Sequence, residues 1–434
     1  MGLSLFIAKH LNDSKQVEKI FFYTPDPAYR ATGKNLNQLK GWEKLELVKD
    51  YASVLNTIDK KNLIVFIDDI GMGFLGDWLR KNGFLVVGGS SLTDKLEDER
   101  EFTANVMSKI MDVPESTDFK AFDEGIKFVK SQPKEERFIF KPNDVTVPKE
   151  YTYVSKDVED LVNAMERFKG EWKWKEDFQI QRFVDGIEVD FSGYFNGKEF
   201  IENSMMIYFE NKPFMNNDVG PATGGSIAVE FARGTTNIFW EILKKTEPIL
   251  KKANYQGQFS LNSIVSKEDH KPYFLEVCGR VGYPSLPMDI SILESSGHKL
   301  HELFLAITHG INAKELFPIN NIGCVLSIFV PPAPTIEHVD ALMGEPIDWD
   351  EKYDNQFFPY YIMYDESLKK KVLTGCSPWI MNIVSVDKSL DRAVSVLYNE
   401  YRPSLRVKQA EYRTDLGVSA KERINKLKEW GLIK

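Results

Sequence analysis

The run Phe274-Leu275-Glu276-Val277-Cys278-Gly279-Arg280-Val281-Gly282-Tyr283-Pro284-Ser285 decides how the rest of the chain is read. Tyr273 to Val277 has the make-up of a buried strand. It breaks at Gly279 into a Gly-punctuated turn, and Pro284 and Pro287 bracket a short loop before the apolar run from Met288. Glu276 stands at the strand end, with Arg280 four positions later. A carboxylate so placed suits a hard cation such as Mg²⁺, and a guanidinium offers an anion a planar fork. Taken alone, the pair reads at least as readily as surface Glu–Arg neighbours beside a turn. The choice rests on the sequence upstream.

At 434 residues the chain exceeds one ordinary core, and about two to four domains are expected. Apolar residues make up 43%, aromatic 12% and charged 27%, the balance of a globular chain with a sizeable interior. A formal net charge of −9 argues against a general nucleic-acid binder, which would show a basic face. Cys278, Cys324 and Cys376 are too scattered for a disulfide framework or a zinc site, which fits a reducing compartment. No apolar run approaches the roughly 18–20 residues of a membrane span. The N-terminus also lacks the basic-then-apolar layout of a signal peptide. We expect a soluble cytoplasmic protein, without nucleic acid or membrane as partner.

Along the chain, Leu3 to Leu11 reads as a helix and Lys19 to Tyr23 as a strand, closed by Pro25 and Pro27. A helix from Glu43 to Ile58 is expected next, then the continuous apolar run Leu63 to Ile67, bounded by Asp68 and Asp69. Such a run fits a parallel strand covered on both faces. A helix from Phe74 to Lys81, a stop at Gly83 and the strand Phe84 to Val87 complete a βαβ unit. The alternation predicts a doubly wound sheet. Such a domain usually opens on a strand and a Gly turn, whereas this chain begins at the helix. We expect the first strand to be missing, or the start to lie upstream.

A charged helix is expected from Lys95 to Met111, then strands at Phe138 to Lys141 and Phe178 to Phe183. Ile187 to Phe195 alternates, and Asn196-Gly197 is a two-residue hairpin signal before Phe200. Asn216 to Ser226 reads as a loop, Phe239 to Asn254 as a helix, and Phe259 to Val265 as a strand. From about Gly323 the pattern is strand-rich and ends in a Lys-rich helix, the layout of a small α+β domain. The fold class expected is therefore α/β and α+β, in several domains.

Other residues carry chemistry in their own right. Lys141 ends an apolar strand before Pro142, as a rigid point charge for phosphate or a snorkelling edge lysine. Glu188, just past the turn at Asp185-Gly186, could accept two ribose hydroxyls or simply be a solvated turn acid. The stretch Asp218-Val219-Gly220-Pro221-Ala222-Thr223-Gly224-Gly225-Ser226 has glycines that let backbone N–H groups approach an anion, and Thr223 adds a hydroxyl. A plain flexible loop is the alternative.

In their order these features resemble the ATP-grasp ligases, and among them the phosphoribosylamine–glycine ligase family. Residues 218–226 look like that family's D-x-G-P-N-T-G-G-M, Glu276 to Ser285 like its E-F-N-V-R-F-G-D-P-E, and Phe183 to Glu188 like its F-L-D-G-E-E. Leu96 to Phe102 is similar to its L-E-G-S-K-A-F, and Tyr412 to Gly417 to its Y-R-x-D-I-G. The resemblance implies a doubly wound domain over 1–105, ATP-grasp subdomains over 106–180 (the lid) and 181–322, and an α+β domain over 323–434. It implies purine biosynthesis chemistry. ATP phosphorylates the carboxylate of glycine, and the amine of phosphoribosylamine attacks the acyl phosphate, giving an amide, ADP and phosphate.

By position, the resemblance assigns Arg100 and Lys141 to ATP phosphates, Glu188 to the ribose, and Gln181 with the backbone of Val184 to the adenine. Glu276 and Cys278 fall at the metal positions, for Mg²⁺ or, as a substitute, Mn²⁺. Arg280 would bind the substrate carboxylate or the transferred phosphoryl group. Asp218, Gly220, Pro221, Thr223, Gly224 and Gly225 would hold the amine substrate. The expected partners are an amino acid and a phosphorylated amine, with the chain a monomer or small homo-oligomer. Several positions depart from the pattern. Cys278 replaces an Asn ligand, and thiolate is a poor partner for Mg²⁺; Asn262 on the neighbouring strand is the candidate substitute. Tyr283 and Ser285 replace an Asp and a Glu, Ala222 and Ser226 an Asn and a Met. The lid offers only Lys149 as a second lysine, after Pro148. These departures leave room for a ligase of another carboxylate and amine, or for a nucleotide-binding relative that has lost catalysis.

Overall fold

Short apolar strands alternate with amphipathic helices at the start of the chain, and the strands pair in parallel. The computed structural model describes residues 4–144, 146–147, 151–232, 234, 236–334 and 339–433; Pro148 and Lys149 lie outside the described residues. Strand β1 (Ile20–Tyr23) pairs with β2 (Leu45–Val48), and β3 (Ile64–Phe66) with β4 (Leu85–Val87), both in parallel. The helix Gly73–Lys81 joins β3 to β4, as the apolar run and the Gly83 stop predict.

The next strands are β5 (Ser116–Phe119), β6 (Phe138–Pro142), β7 (Tyr153–Val154) and β8 (Phe178–Arg182), antiparallel in the order β5-β8-β6-β7. Then come β9 (Gly186–Phe195), β10 (Met206–Met215), β11 (Val219–Ala232), β12 (Gly257–Ser266), β13 (Pro272–Cys278), β14 (Ile322–Phe329) and β15 (Phe357–Pro359). A separate hairpin pairs β16 (Ile362–Asp365) with β17 (Lys370–Leu373), and β18 (Trp379–Asp387) closes the series. The large sheet has eight strands in the order β13-β12-β9-β10-β11-β14-β18-β15. Parallel pairs followed by extended antiparallel sheet give the mixed, multidomain architecture the sequence predicts.

Two compact units emerge: residues 1–94, 189–260 and 278–434 in one, 95–188 and 261–277 in the other. In the larger, the helix Ser285–Ser295 is apolar nearly all round. Leu286, Met288, Ile290, Ile292 and Leu293 are buried in one core with Val325, Phe358 and Val384. A helix hydrophobic on all sides belongs in an interior. In the smaller unit, the helices Phe122–Lys130 and Val158–Glu171 cover the four-stranded sheet. Asp157 caps the second helix by accepting from the Asp160 N–H at 2.8 Å. Its core is aromatic: the Phe140 ring centroid is 4.7 Å from that of Phe178 and 5.4 Å from that of Phe168.

Several local expectations are corrected. The helix expected over Glu43 to Ile58 begins only at Tyr51, because Leu45–Val48 is recruited as β2 and Asp50 caps the shorter helix. The charged helix from Lys95 is two helices, Ser91–Asp98 and Arg100–Met107, broken at Glu99, whose ψ of 89° is not helical. The helix from Phe239 splits into Ile238–Lys244 and Glu247–Lys252, the second carrying Pro248 in its first turn, where the missing N–H is one a continuous helix needs. Residues 219–226, expected as a loop, form the first half of β11, paired with β10 through Met215↔Val219 and Pro213↔Ala222. The chain reverses at Asn196-Gly197, with Gly197 at φ 89°, but the Phe195↔Phe200 bridge makes the connection four residues long, not the two expected. Phe200 makes only an isolated bridge to Phe195, and the next strand waits until Met206.

Phe140→Ala should destabilise the protein by about 3–5 kcal/mol, since it opens a cavity beneath two helices. Urea unfolding followed by tryptophan fluorescence measures this; a loss under about 1 kcal/mol would contradict the packing described.

Candidate active site

In the smaller unit the site is built on strand alternation. Successive side chains of β6 point to opposite faces. Phe138 and Phe140 enter the aromatic core, and Lys141 lies on the other face beyond it. The antiparallel register sets Lys141 opposite Gln179 and Ile139 opposite Gln181. Burial pushes the Lys141 ammonium down to about 8, and the neighbouring Arg100 adds to this; Glu276 and Glu188 act in the opposite direction. Arg100 opens the helix Arg100–Met107, and burial depresses its guanidinium too, against the pull of Glu276. One of its N–H groups donates to the carbonyl of Pro142, next to Lys141. Arg100, Lys141, Glu188 and Glu276 therefore converge, from four distant stretches of sequence.

Asn262 completes the group. Its Nδ2 donates to Glu188 Oε1 at 2.8 Å, and β12, which carries it, lies between the strands of Glu188 and Glu276. A carboxylate only accepts, which fixes the orientation of the amide and leaves Asn262 Oδ1 as a buried acceptor with no hydrogen-bond partner. Gln181 Oε1 is another. Buried acceptors without donors are uncommon, and two of them flank the charged group. Val184 lies in the segment between β8 and β9.

A hard cation takes oxygen ligands and keeps several places for water or phosphate. The oxygens of Glu276, with Asn262 Oδ1, suit such a cation. Cys278 shares a face of β13 with Glu276, two residues away, but its sulfur does not suit Mg²⁺. Among the described residues no group of three or more His, Cys, Asp or Glu side chains could hold a metal by itself.

In the larger unit, Arg280 projects from the turn after β13. Gly279 is required there, since a Cβ would come within 2.5 Å of Thr93. The Arg280 Nε lies 3.7 Å from Asp69 Oδ1, and the guanidinium sits 5.2 Å from the Tyr283 ring centre. Burial raises both the Asp68 carboxyl and the Tyr283 phenol, and the Tyr283 phenol is raised further by Asp68 and Asp69. These two acids read in the sequence only as the boundary of a strand. The signal was their place just beyond the C-terminal end of a parallel strand, where open α/β sheets bind ligands.

The glycine-rich stretch is anchored, not loose. Asp218 accepts from Arg413 at 2.7 Å and from Asn211 at 2.9 Å, and buried Arg413 also holds Asp415. The Thr223 hydroxyl donates to the Lys212 carbonyl at 2.7 Å and receives the Gly225 N–H at 3.1 Å. Gly220 and Gly225 have positive φ, and a Cβ on Gly225 would lie 2.6 Å from Pro284. That contact sets Gly225 beside Pro284, just after the Arg280 turn. Arg413, the partner of Asp218, had no signal in local sequence beyond its own Arg-x-Asp.

No protein-family model matches the chain, and no curated protein matches it by sequence. Solved structures do. A phosphoribosylamine–glycine ligase from Thermotoga maritima superposes with a TM-score of 0.70 at 18% identity, over 95% of this chain and 97% of that one. The chain has the ATP-grasp fold. The same ATP-grasp architecture appears in a biotin carboxylase from Campylobacter jejuni, described as a beta-gamma-ATP complex (TM-score 0.62, 12% identity, 98% and 94% coverage). It appears again in an N5-carboxyaminoimidazole ribonucleotide synthetase from Thermotoga maritima (TM-score 0.54, 12% identity, 93% and 97% coverage).

Gly225→Ala should cost about 2–3 kcal/mol, because it combines a left-handed φ with contacts to Glu210 and Pro284. Gly170→Ala, in a helix where a Cβ meets nothing within 4 Å, should stabilise by up to about 1 kcal/mol. Equal effects in thermal melts of the two variants would refute the tight hairpin.

Proposed function

We propose that the protein is an ATP-dependent carboxylate–amine ligase that works through an acyl phosphate, with glycine and 5-phosphoribosylamine as its substrates. The observation that carries this is the convergence of Lys141 and Arg100 with Glu188, Asn262 and Glu276. Two desolvated cations side by side repel one another, and a polyphosphate relieves that repulsion. Lys141 and Arg100 hold the phosphates, Glu188 the ribose hydroxyls, and Gln181 with Val184 the adenine. Gln181 Oε1, lacking a donor of its own, is matched to an amino group. The Campylobacter jejuni biotin carboxylase, described as a beta-gamma-ATP complex, supports nucleotide binding by this fold.

A magnesium ion held by Glu276 and Asn262 would cancel phosphate charge and draw electrons from the transferred phosphoryl group. The remaining work belongs to the chain. Arg280 binds the glycine carboxylate with a planar fork, so that one anion can approach another. Asp69 holds the guanidinium from its other side and limits its freedom. Asp218, Gly220, Pro221, Thr223, Gly224 and Gly225 position the amine, whose attack on the acyl phosphate releases phosphate. Orientation of bound reactants supplies much of the rate.

A second reading, the same reaction on another carboxylate and amine, is favoured by Tyr283 and the Asp68–Asp69 pair beside Arg280. Acids and a phenol there would welcome a cationic or hydroxylated substrate more readily than a phosphate.

The test is Mg²⁺-dependent ADP release from ATP with glycine and freshly generated phosphoribosylamine, against omission of each. Release should need both substrates and fall about 100-fold or more in Glu276→Ala. Turnover that is indifferent to glycine, or unchanged in the variant, would rule the proposal out.

A further inference from the structure

We propose that Tyr255 and Gln258 are positioning residues that clamp the Arg280 turn at both ends, and that buried Asp289 orients Gln258. The inference rests on the role given to Arg280 above and adds residues to that site.

Two side chains from the β12 region pin the turn from Gly279 to Gly282. The Tyr255 hydroxyl donates to the carbonyl of Gly279 at 2.9 Å, and the same hydroxyl lies against the carbonyl of Gln258. Gln258 Oε1 accepts the N–H of Gly282 at 3.1 Å. Arg280 lies between these two attachment points. Both side chains are buried, so neither bond competes with water.

Gln258 could present either end of its amide to Gly282, and only the oxygen end is useful. Its orientation is fixed from behind: Nε2 donates to Asp289 Oδ2 at 2.7 Å, and the Tyr194 hydroxyl donates to the same oxygen at 2.8 Å. A flipped amide would turn its N–H groups toward the Gly282 N–H and its oxygen toward a carboxylate, losing both bonds. Asp289 must therefore accept on that side.

Glu230 is a buried acid beside Asp289, and neither of its oxygens, nor Asp289 Oδ1, has a hydrogen-bond partner among the described residues. Burial and the neighbouring Asp289 raise the Glu230 carboxyl well above the carboxylate range. Asp289, receiving two donors, is the acceptor. Asp289 also sits on the helix Ser285–Ser295, whose first turn closes on the Gly282 carbonyl through Leu286 N–H at 2.8 Å. The helix thus braces the turn that precedes it.

The experiment is steady-state ADP release with MgATP, glycine and phosphoribosylamine, using full-length Gln258→Leu and Tyr255→Phe. Each variant should raise the KM for glycine and lower kcat, together by about tenfold or more, with the KM for ATP within about twofold of wild type. In an Arg280→Lys background, each should add less than about twofold, because a residue acting through Arg280 has nothing left to position. Tyr255→Phe keeps the ring and its packing, so the test survives poor folding of Gln258→Leu. Full multiplicative losses in the Arg280→Lys background, or an equal rise in the KM for ATP, would overturn the clamp. If Arg280→Lys is damaging while both clamp variants are silent, the clamp fails and the assigned function stands. If Arg280→Lys itself is silent, the role of Arg280 and the clamp fall together.

Discussion

The structure depends on keeping two cations, Lys141 and Arg100, partly out of water beside the acids Glu188 and Glu276. Desolvation disfavours the charged form of the lysine and the acids favour it, with desolvation dominant. The linkage has a definite sign. Between about pH 8 and the ordinary lysine value the unfolded chain binds more protons than the folded one, so stability rises with pH there. Below pH 8 the protein carries the full cost of the buried charge. Under the proposed function, a bound polyphosphate offsets that cost.

Strand geometry delivers that arrangement. Alternation on β6 sends the phenylalanines one way and Lys141 the other, and neighbouring strands β9, β12 and β13 line up Glu188, Asn262 and Glu276. Short, packed elements then hold the Arg280 turn: Gly279 against Thr93, Gly225 against Pro284, and the two hydrogen bonds from Tyr255 and Gln258. Buried polar groups near Arg280 bond one another: Gly282 with Gln258, Gln258 with Asp289, and Tyr194 with Asp289.

Much of this was legible in the sequence where one physical signal dominates. The run Leu63 to Ile67 is too apolar and too short to be anything but a strand, though a half-buried one, and the chain reverses at Asn196-Gly197. Lys141 and Glu276 stood out because a charge at the end of an apolar strand needs a reason. Tertiary pairing was not legible. Leu45 to Val48 has a helical pattern on either side and becomes a strand only because Ile20 to Tyr23 lies beside it. Residues 219–226 contain so much Gly and Pro that a loop is the local reading, yet β10 pairs with them and Arg413 secures their start. Gln258 carried no signal of its own; its meaning lies in its bonds to Gly282 and Asp289.

The most direct measurement of the central claim is calorimetric titration of MgATP into the protein from pH 7 to 9.5, for the wild type and Lys141→Gln. A polyanion favours the charged lysine, so affinity should be flat to about pH 8 and then fall, by up to about tenfold per pH unit, with proton uptake on binding. Lys141→Gln should bind more weakly and lose that dependence. Wild-type affinity that ignores pH above 8, or a variant that binds as well as wild type, would contradict the account.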